Sequence, residues 1–455
     1  MTVTGAVISG AVGRPGQDVS LRLRVLATTD LHAHLFSYNY YANRPDNRVG
    51  LARLAASIVQ ARAECPNILL FDNGDTFQGA PLGDAALSDL MPRALAHPMV
   101  AAMNGLGYDA ATLGNHDFDY GIEALERVIA AARYPIVLAN VFRAGGAGPL
   151  VAPHVILERM LIDSSGALRV LRIGVTGAVP PQTMQWGHVH LAGRIEIEPI
   201  LPAVSREVAR MRAAGVDLVI VLAHTGLGVD GAGPADENVG RVVAAINGVD
   251  AVIAGHTHGV FPTPSPVAAP CDGATIVQPG FFGSHLGQID LDLRPRGLGV
   301  GTVPRAQDWC VSEKHARLRA AEDAGAEDRR ALRRRLYHLP AFRAEMARGH
   351  RLTRAYSARP LGRSNVPLET FFSLLAPCAA TQLIADVQRA AVAPIIAADP
   401  ALAGLPLLSC TTPFKSGGRG GPDAFTDVPA GAILLRHAAD LYPYSNNLVV
   451  VRATG

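Results

Sequence analysis

The sequence predicts an α/β layered fold over residues 22–295, followed by a second, smaller α/β unit over 355–455. Three observations lead there. Short aliphatic runs alternate with Ala/Arg/Leu-rich amphipathic segments, the period expected of strands and helices taken in turn. Several of the runs are apolar without a break, which suits a sheet covered on both faces. The composition then changes to Arg, Glu and Ala over 311–354 before a new set of elements begins.

The strand-like runs are, in order, LRVLATTD, ILLFDNGD, AATLGNHD, PIVLAN, LRIGVTGAV, DLVIVLAHTG, AVIAGHTH, TIVQPGFF and LGQIDLDL. Helical segments are expected at 50–64, 121–133 and 201–214. Residues 1–21 form an N-terminal extension, and 296–354 a largely helical, solvated linker whose acids interleave with its arginines. Beyond the linker come a helix-like stretch at 367–397, a Gly-rich loop at 416–422 and a last strand, LVVVRATG. At 455 residues the chain exceeds one ordinary core, since domains run to roughly 100–200 residues.

Composition excludes some partners. With 41 basic and 39 acidic residues the net charge is +2, which offers no field for polymeric nucleic acid or an anionic membrane. A bound phosphate must therefore be held by local groups. The five cysteines, Cys65, Cys271, Cys310, Cys378 and Cys410, are scattered without a CxxC pair and read as structural thiols. No apolar run reaches the length of a membrane-spanning helix. The start, MTVTGAVISGAVGRPGQDVS, lacks a basic n-region and is broken by Gly and Pro. The chain as it stands is expected in the cytoplasm, and in the periplasm if the true start lies upstream.

Chemistry concentrates where the strand-like runs end. Five such places carry Asp30-Leu31-His32, Gly74-Asp75, Gly114-Asn115-His116-Asp117, Ala223-His224 and Gly255-His256-Thr257-His258. Carboxylate, imidazole and amide oxygen together suit first-row divalent ions, whereas an all-oxygen set would suit magnesium or calcium. Two such ions about 3.5–4 Å apart can share a carboxylate and lower the pKa of a water between them. Glycines beside the ligands are expected to supply tight turns with positive φ. His34 lies on the same side of its strand as Asp30 and His32. The other histidines, among them His97, His188, His190, His285, His315, His338, His350 and His437, lack this context.

Together TTDLHAHL, NGDTFQGAPLGD, TLGNHDFDYG, VLAHTGL and AGHTHGVFP resemble the calcineurin-like metallophosphoesterase domain of the 5'-nucleotidase family. GVTGAVPPQTMQW, PGFFGSHLG, PFKSGGRGGPDAFTDVPAG and LYPYSNNLVVV carry the likeness on from about residue 22 almost to the end. They are most similar to the subgroup of bifunctional 2',3'-cyclic-nucleotide 2'-phosphodiesterase/3'-nucleotidases. The resemblance implies a β-sandwich flanked by helices, plus an incomplete C-terminal α/β domain that binds substrate. It also implies two divalent ions (Mn, Zn, Co or Fe), one on Asp30, His32, Asp75 and His258, the other on Asp75, Asn115, His224 and His256, with Asp75 bridging. His116 would be the catalytic imidazole, oriented by Asp119. Nucleotides would be the substrates, with Arg419 in the substrate loop and Tyr444 and Asn446 at the nucleobase.

Two departures bear on this reading. Asp117 and Asp119 stand where the subgroup carries Glu and Asn, which leans toward the 5'-nucleotidase pattern. Family members also continue past LVVVRATG, so the base clamp is expected to be half built and the sheet edge open to self-association. A 5'-nucleotidase or nucleotide-sugar hydrolase on the same scaffold, and a catalytically weak nucleotide-binding protein, remain the alternatives.

Overall fold

The computed structural model describes residues 19–88, 90–92, 95–229, 231–233, 235–263, 273–295, 309–320, 339–418, 421–422, 424–443 and 448–453. The chain divides into two compact units, one of residues 1–38, 46–78 and 92–349, the other of 39–45, 79–91 and 350–455.

The first unit is built on two sheets. The strands of these two sheets, in chain order, are β1 (Leu21–Thr28), β2 (Ile68–Asp72), β3 (Ala110–Ala111), β4 (His154–Ile162), β5 (Leu168–Ala178), β6 (Leu218–Ala223), β7 (Ala251–Ala254), β8 (Val260–Phe261), β9 (Thr275–Pro279), β10 (His285–Pro295) and β11 (Trp309–Ala320). One sheet runs β11-β10-β1-β2-β3 and the other β8-β9-β7-β6-β5-β4. In the first, β1, β2 and β3 are parallel while β10 and β11 run antiparallel to their neighbours. In the second, β5, β6, β7 and β9 are parallel.

Side-chain alternation explains how the sheets stack. Along β6, Leu218, Ile220 and Leu222 enter a core shared with Leu23, Val25, Leu69, Phe71, Ile289 and Leu291 of the other sheet. The intervening Val219, Val221 and Ala223 join a second core with Ile200, Val204, Val208 and Met211 of the helix Ile200–Ala213. With both faces covered, LVIVLA has no polar position to show, as the two-residue period of a strand requires. The fold is thus a β-sandwich with helices outside it. The parallel strands β1, β2 and β3 of one sheet and β6 and β7 of the other each run directly into one of the five motif-bearing loops.

Several segments differ from the sequence reading. Trp309–Ala320, expected within a helical linker, is an edge strand paired along its length with β10. Trp309 is fully buried in the inter-sheet core, with Val311, Ala316 and Leu318 packed against it. This long-range burial outweighs the helical composition of the segment. PIVLAN forms isolated bridges at Ile136 and Val137 and no regular strand, and β4, HVILERMLI, is a strand the pattern had not marked.

The second unit has two short ladders, Pro360–Ser364 with Gly431–Leu434 and Leu368–Glu369 with Asp427–Val428. The helix Ala379–Ala398 packs on them through Ala380 and Ile384, which share a small core with Leu368, Val428 and Leu441. Residues 448–453, expected as a strand, form none, because no ladder partner stands beside them among the described residues. No helix among the described residues is long and apolar enough to cross a membrane.

One buried titratable group makes the first unit sensitive to pH. His97 caps the helix Pro98–Leu106 by accepting the Met99 amide on Nδ1 at 3.2 Å, and it is only 4% exposed. Burial, reinforced by the charge of Arg348, lowers its pKa to about 3. The unfolded chain takes up a proton near the ordinary value of about 6.5, so it binds more protons than the folded chain between those limits. Stability contributed here is therefore full above pH ~6.5 and falls by about 1.4 kcal/mol per unit below it. His97→Asn keeps a good cap and removes the proton site. Between about pH 7 and about pH 5 the melting temperature should fall less in the variant than in the wild type; equal falls in both proteins would show that His97 is not responsible.

Candidate metal centre

Five of the motif residues adopt backbone conformations that L-residues rarely hold. Asp30, His32, Asp75, His256 and His258 have φ of 50°, 44°, 54°, 69° and 57°. Left-handed non-glycine residues are uncommon and cost about 1–3 kcal/mol each. Cross-loop hydrogen bonds hold them: Asp30 N donates to Gly74 O at 2.9 Å, His32 N to Asp75 O at 2.8 Å, and Phe282 N to Asp30 O at 2.8 Å.

Two of the three glycines serve a different purpose from the one expected. Gly74 has φ of 86°, but Gly114 and Gly255 do not enter the positive region. They are there for closeness. A Cβ on Gly114 would lie 2.2 Å from Asp75 Oδ1 and 2.6 Å from His224 Cε1, and one on Gly255 would lie 2.3 Å from Thr29 Oγ1 and 2.8 Å from Asp30 Oδ2.

These loops bring together two sets of donors. Asp30, His32 and His258 offer atoms within 4.8 Å of one another, and so do Asp75, His224 and His256. Asp75 faces both sets, with Oδ2 3.1 Å from His224 Nε2 and 3.6 Å from His32 Nε2. His258 Nε2 lies 3.5 Å from Asp30 Oδ1 and 3.0 Å from His32 Nε2. Asn115 Oδ1 approaches His256 Nδ1 at 2.8 Å. Asp75 Oδ2 and His224 Nε2 are buried facing each other with no further hydrogen-bond partner, and a divalent cation would complete the coordination of both. Carboxylates, imidazoles and an amide oxygen arranged in this way fit divalent first-row ions.

The far nitrogens of three imidazoles are also engaged, which selects the tautomer that leaves the near nitrogen free. His32 Nδ1 donates to Gln78 O at 3.0 Å and His224 Nδ1 to Asn73 O at 2.7 Å. His256 Nε2 meets the Glu237 carboxylate at 2.6 Å. His34, by contrast, turns its Nδ1 to the carbonyl of His32 at 2.9 Å and stacks on Phe282, so it is not aimed at the donors.

Burial governs the protonation equilibria. It pushes the Asp30 carboxyl up to about 7, with the Asp75 charge adding to the effect, and lowers His32 to about 3 and His258 to about 4. At His224 burial works the same way, but the adjoining Asp75 reverses it and takes the imidazole up to about 10. Asp75, despite its burial, is held well below the usual carboxylate range by His224, His116 and His32.

His116 sits on the one-turn helix Asn115–Phe118. Its Nδ1 bonds Asp119 Oδ2 at 2.8 Å, its backbone N–H donates to Asp75 Oδ1 at 2.8 Å, and its ring lies 5.4 Å from that of His32. Burial disfavours its charge, yet Asp75 and Asp119 together raise it to about 9. Asp117 was legible only as a departure from a family pattern. Its buried carboxylate accepts the amides of Asp75, Thr76, Phe77 and Gly114, each at 2.9 Å, tying the Gly74–Asp75 loop to the Gly114 loop. Sequence reasoning also passed over Asp72, Asn73, Trp186 and Glu237. Arg419, Tyr444 and Asn446 lie outside the described residues.

The geometry has counterparts among known proteins. The model of the calcineurin-like phosphoesterase family matches residues 23–260. A 2',3'-cyclic-nucleotide 2'-phosphodiesterase/3'-nucleotidase of Salmonella typhimurium is 36% identical, with 100% of this chain and 69% of that protein aligned. The protein of the same name from Haemophilus influenzae is 36% identical over 98% of this chain and 67% of its own length. The crystal structure of the calcineurin-like phosphoesterase YfkN from Bacillus subtilis superposes with a TM-score of 0.64 at 33% identity, covering 73% of this chain and 99% of that one. This chain belongs to the calcineurin-like phosphoesterase family and is a metal-dependent phosphoric ester hydrolase.

Proposed function

We propose that the chain hydrolyses phosphate esters of nucleotides, opening 2',3'-cyclic nucleotides at the 2' oxygen and removing the 3' phosphate that remains. The observation that carries the reading is the pair of donor sets meeting at Asp75 with the His116–Asp119 pair beside them. The likeness to relatives bearing that activity in their names, which extends over the whole chain, supports the substrate class.

Two divalent cations, one held by Asp30, His32, Asp75 and His258 and the other by Asp75, Asn115, His224 and His256, would supply activation of a water and neutralisation of the phosphoryl oxygens. Manganese, zinc, cobalt and iron all suit these donors. The chain's own groups account for the rest. The Asp119 carboxylate, hydrogen-bonded to Nδ1, favours the protonated imidazole of His116, so that Nε2 carries a proton to give. His116 then donates to the ribose oxygen as its bond to phosphorus breaks, stabilising charge that is absent from the ground state. Arg419, Tyr444 and Asn446 would select the nucleotide, with the aromatic face stacking on the base.

Asp117 and Asp119 favour a second reading, a 5'-nucleotidase on the same scaffold. Side-by-side turnover of 2',3'-cyclic AMP, 3'-AMP and 5'-AMP decides between them: preference for the first two supports the proposal, and preference for 5'-AMP replaces it.

His116→Ala should lower turnover by roughly 10²- to 10⁴-fold with metal content unchanged, whereas Asp75→Ala should lose both ions. Metal analysis finding two ions per chain in the Asp75 variant would end its bridging role. Metal uptake should also release protons, because His224 carries one at neutral pH in the metal-free protein and a ligand must be deprotonated. Affinity is thus expected to rise with pH up to about 10. Calorimetry in buffers of different ionisation enthalpy measures that release; its absence would take His224 out of the ligand set.

A further inference from the structure

His256 is flanked on every polar edge. Its Nδ1 lies 2.8 Å from Asn115 Oδ1 and its Nε2 lies 2.6 Å from Glu237 Oε1, while Trp186 stacks on its ring at 5.5 Å and 23°. A neutral imidazole has one N–H for two oxygen neighbours. The ionised carboxylate, nearer and charged, is the stronger acceptor and takes that proton in preference to the amide oxygen. Nδ1 is then left with a lone pair beside the amide oxygen of Asn115, two donors that a cation bound to both would satisfy.

Glu237 does not reach His256 by chance of side-chain rotation. Its segment runs back along the loop that follows His224. Thr225 Oγ1 donates to the Glu237 carbonyl at 2.6 Å and accepts the Val239 amide at 3.0 Å. Gly226 N donates to Asn238 Oδ1 at 3.1 Å, and Gly240 N to Gly226 O at 2.9 Å. The fit excludes larger residues: a Cβ on Gly226 would lie 2.4 Å from Asn238 Oδ1, and one on Gly228, whose φ is 68°, would lie 2.0 Å from Asn238 O. Gln182 Nε2 adds a tie to Ala235 O at 2.9 Å. Glu237 is therefore tied, through Thr225 and Gly226, to the strand end that bears His224, while its carboxylate meets the imidazole of His256.

We propose that Glu237 is a positioning residue of the second metal site: it accepts Nε2–H of His256, fixes the tautomer whose Nδ1 faces Asn115, and so sets the affinity of that site alone. The inference rests on the two-ion reading above. Carboxylate partners of ligating histidines typically contribute a factor of 10–100 in metal affinity.

Metal-free protein titrated with Mn(II), and the visible spectrum of the Co(II)-loaded protein, test it. Wild type should take up two ions, and fewer than two would overturn the two-ion reading itself. With two ions in wild type, Glu237→Ala should weaken one binding event by about 10- to 100-fold, leave the other unchanged, and alter the Co(II) bands of a single site. Glu237→Gln, whose amide oxygen still accepts, should recover much of the loss. The melting temperature of the metal-free protein should not move. In the Ala variant KM should be unchanged and excess Mn(II) should restore turnover. Two unaltered binding events, equal weakening of both, a lowered metal-free melting temperature, or a raised KM that excess metal leaves in place would each overturn the assignment.

Discussion

Four carboxylates, Asp30, Asp72, Asp75 and Asp117, are buried at the ends of β1, β2 and β3 with 2% or less of their surface exposed. Ionised carboxylates in such surroundings persist only when each finds compensation, and the manner of compensation divides them. Asp72 receives the hydroxyls of Thr28 and Thr76, at 2.6 and 2.5 Å, and the Gly74 amide. Asp117 receives four backbone amides. Both are satisfied by neutral donors of the chain and act as framework. Asp75 has one oxygen on the His116 amide and the other facing only the imidazoles of His224 and His32, while Asp30 shares the single His256 amide between its two oxygens beside the Thr29 hydroxyl. Their remaining capacity is directed at imidazoles. The framework pair holds the loops in place so that the other pair can remain incompletely neutralised, which is the condition for taking up cations.

Much of this was legible because the donors follow strand ends. A strand fixes the direction of its last residues, so Asp30, Asp75, Asn115, His224 and His256 could be grouped from their position after apolar runs. The donors' second partners were not legible, because backbone carbonyls such as Gln78 O and Asn73 O have no letter in a sequence. Glu237 was hidden for a related reason. It lies in a Gly-rich loop with no periodicity, and only the ladder of bonds from Thr225 and Gly226 shows where it returns.

The fold was legible where burial is two-sided. LVIVLA and ILLFD reveal their strands directly, and the helices at 51–64, 122–130 and 200–213 follow their amphipathic patterns. Edge strands were harder. Trp309–Ala320 carries Glu313, His315, Arg317 and Arg319 along one face, and these residues suit a solvated helix equally well; what decides its state is Trp309 entering a core formed by residues far away in sequence. HVILERMLI leaves Met160 and Ile162 exposed, so its alternation is blurred. Residues 448–453 show the converse: four aliphatic residues, Leu448–Val451, exposed and outside any ladder. High β-propensity expresses fit to a neighbouring strand more than a preference of the backbone itself.

The strained conformations at the site follow from the same requirement for partners. A glycine at position 30, 32, 75, 256 or 258 would relieve the positive φ but would remove a carboxylate or an imidazole. Glycine is used one residue away, at 74 and 255, and across from Asp75 at 114, where it lets the loops approach closely enough for their hydrogen bonds to hold the donor residues in strained positions. The strain is therefore already met by cross-loop bonds before any ion arrives. A site organised this way need not reorganise its backbone on binding, so the interaction energy of incoming cations is available for affinity and for polarising a phosphate ester. The cost falls on tolerance: the adjacent glycines, though they carry no chemistry, are as restricted as the donor residues they accompany.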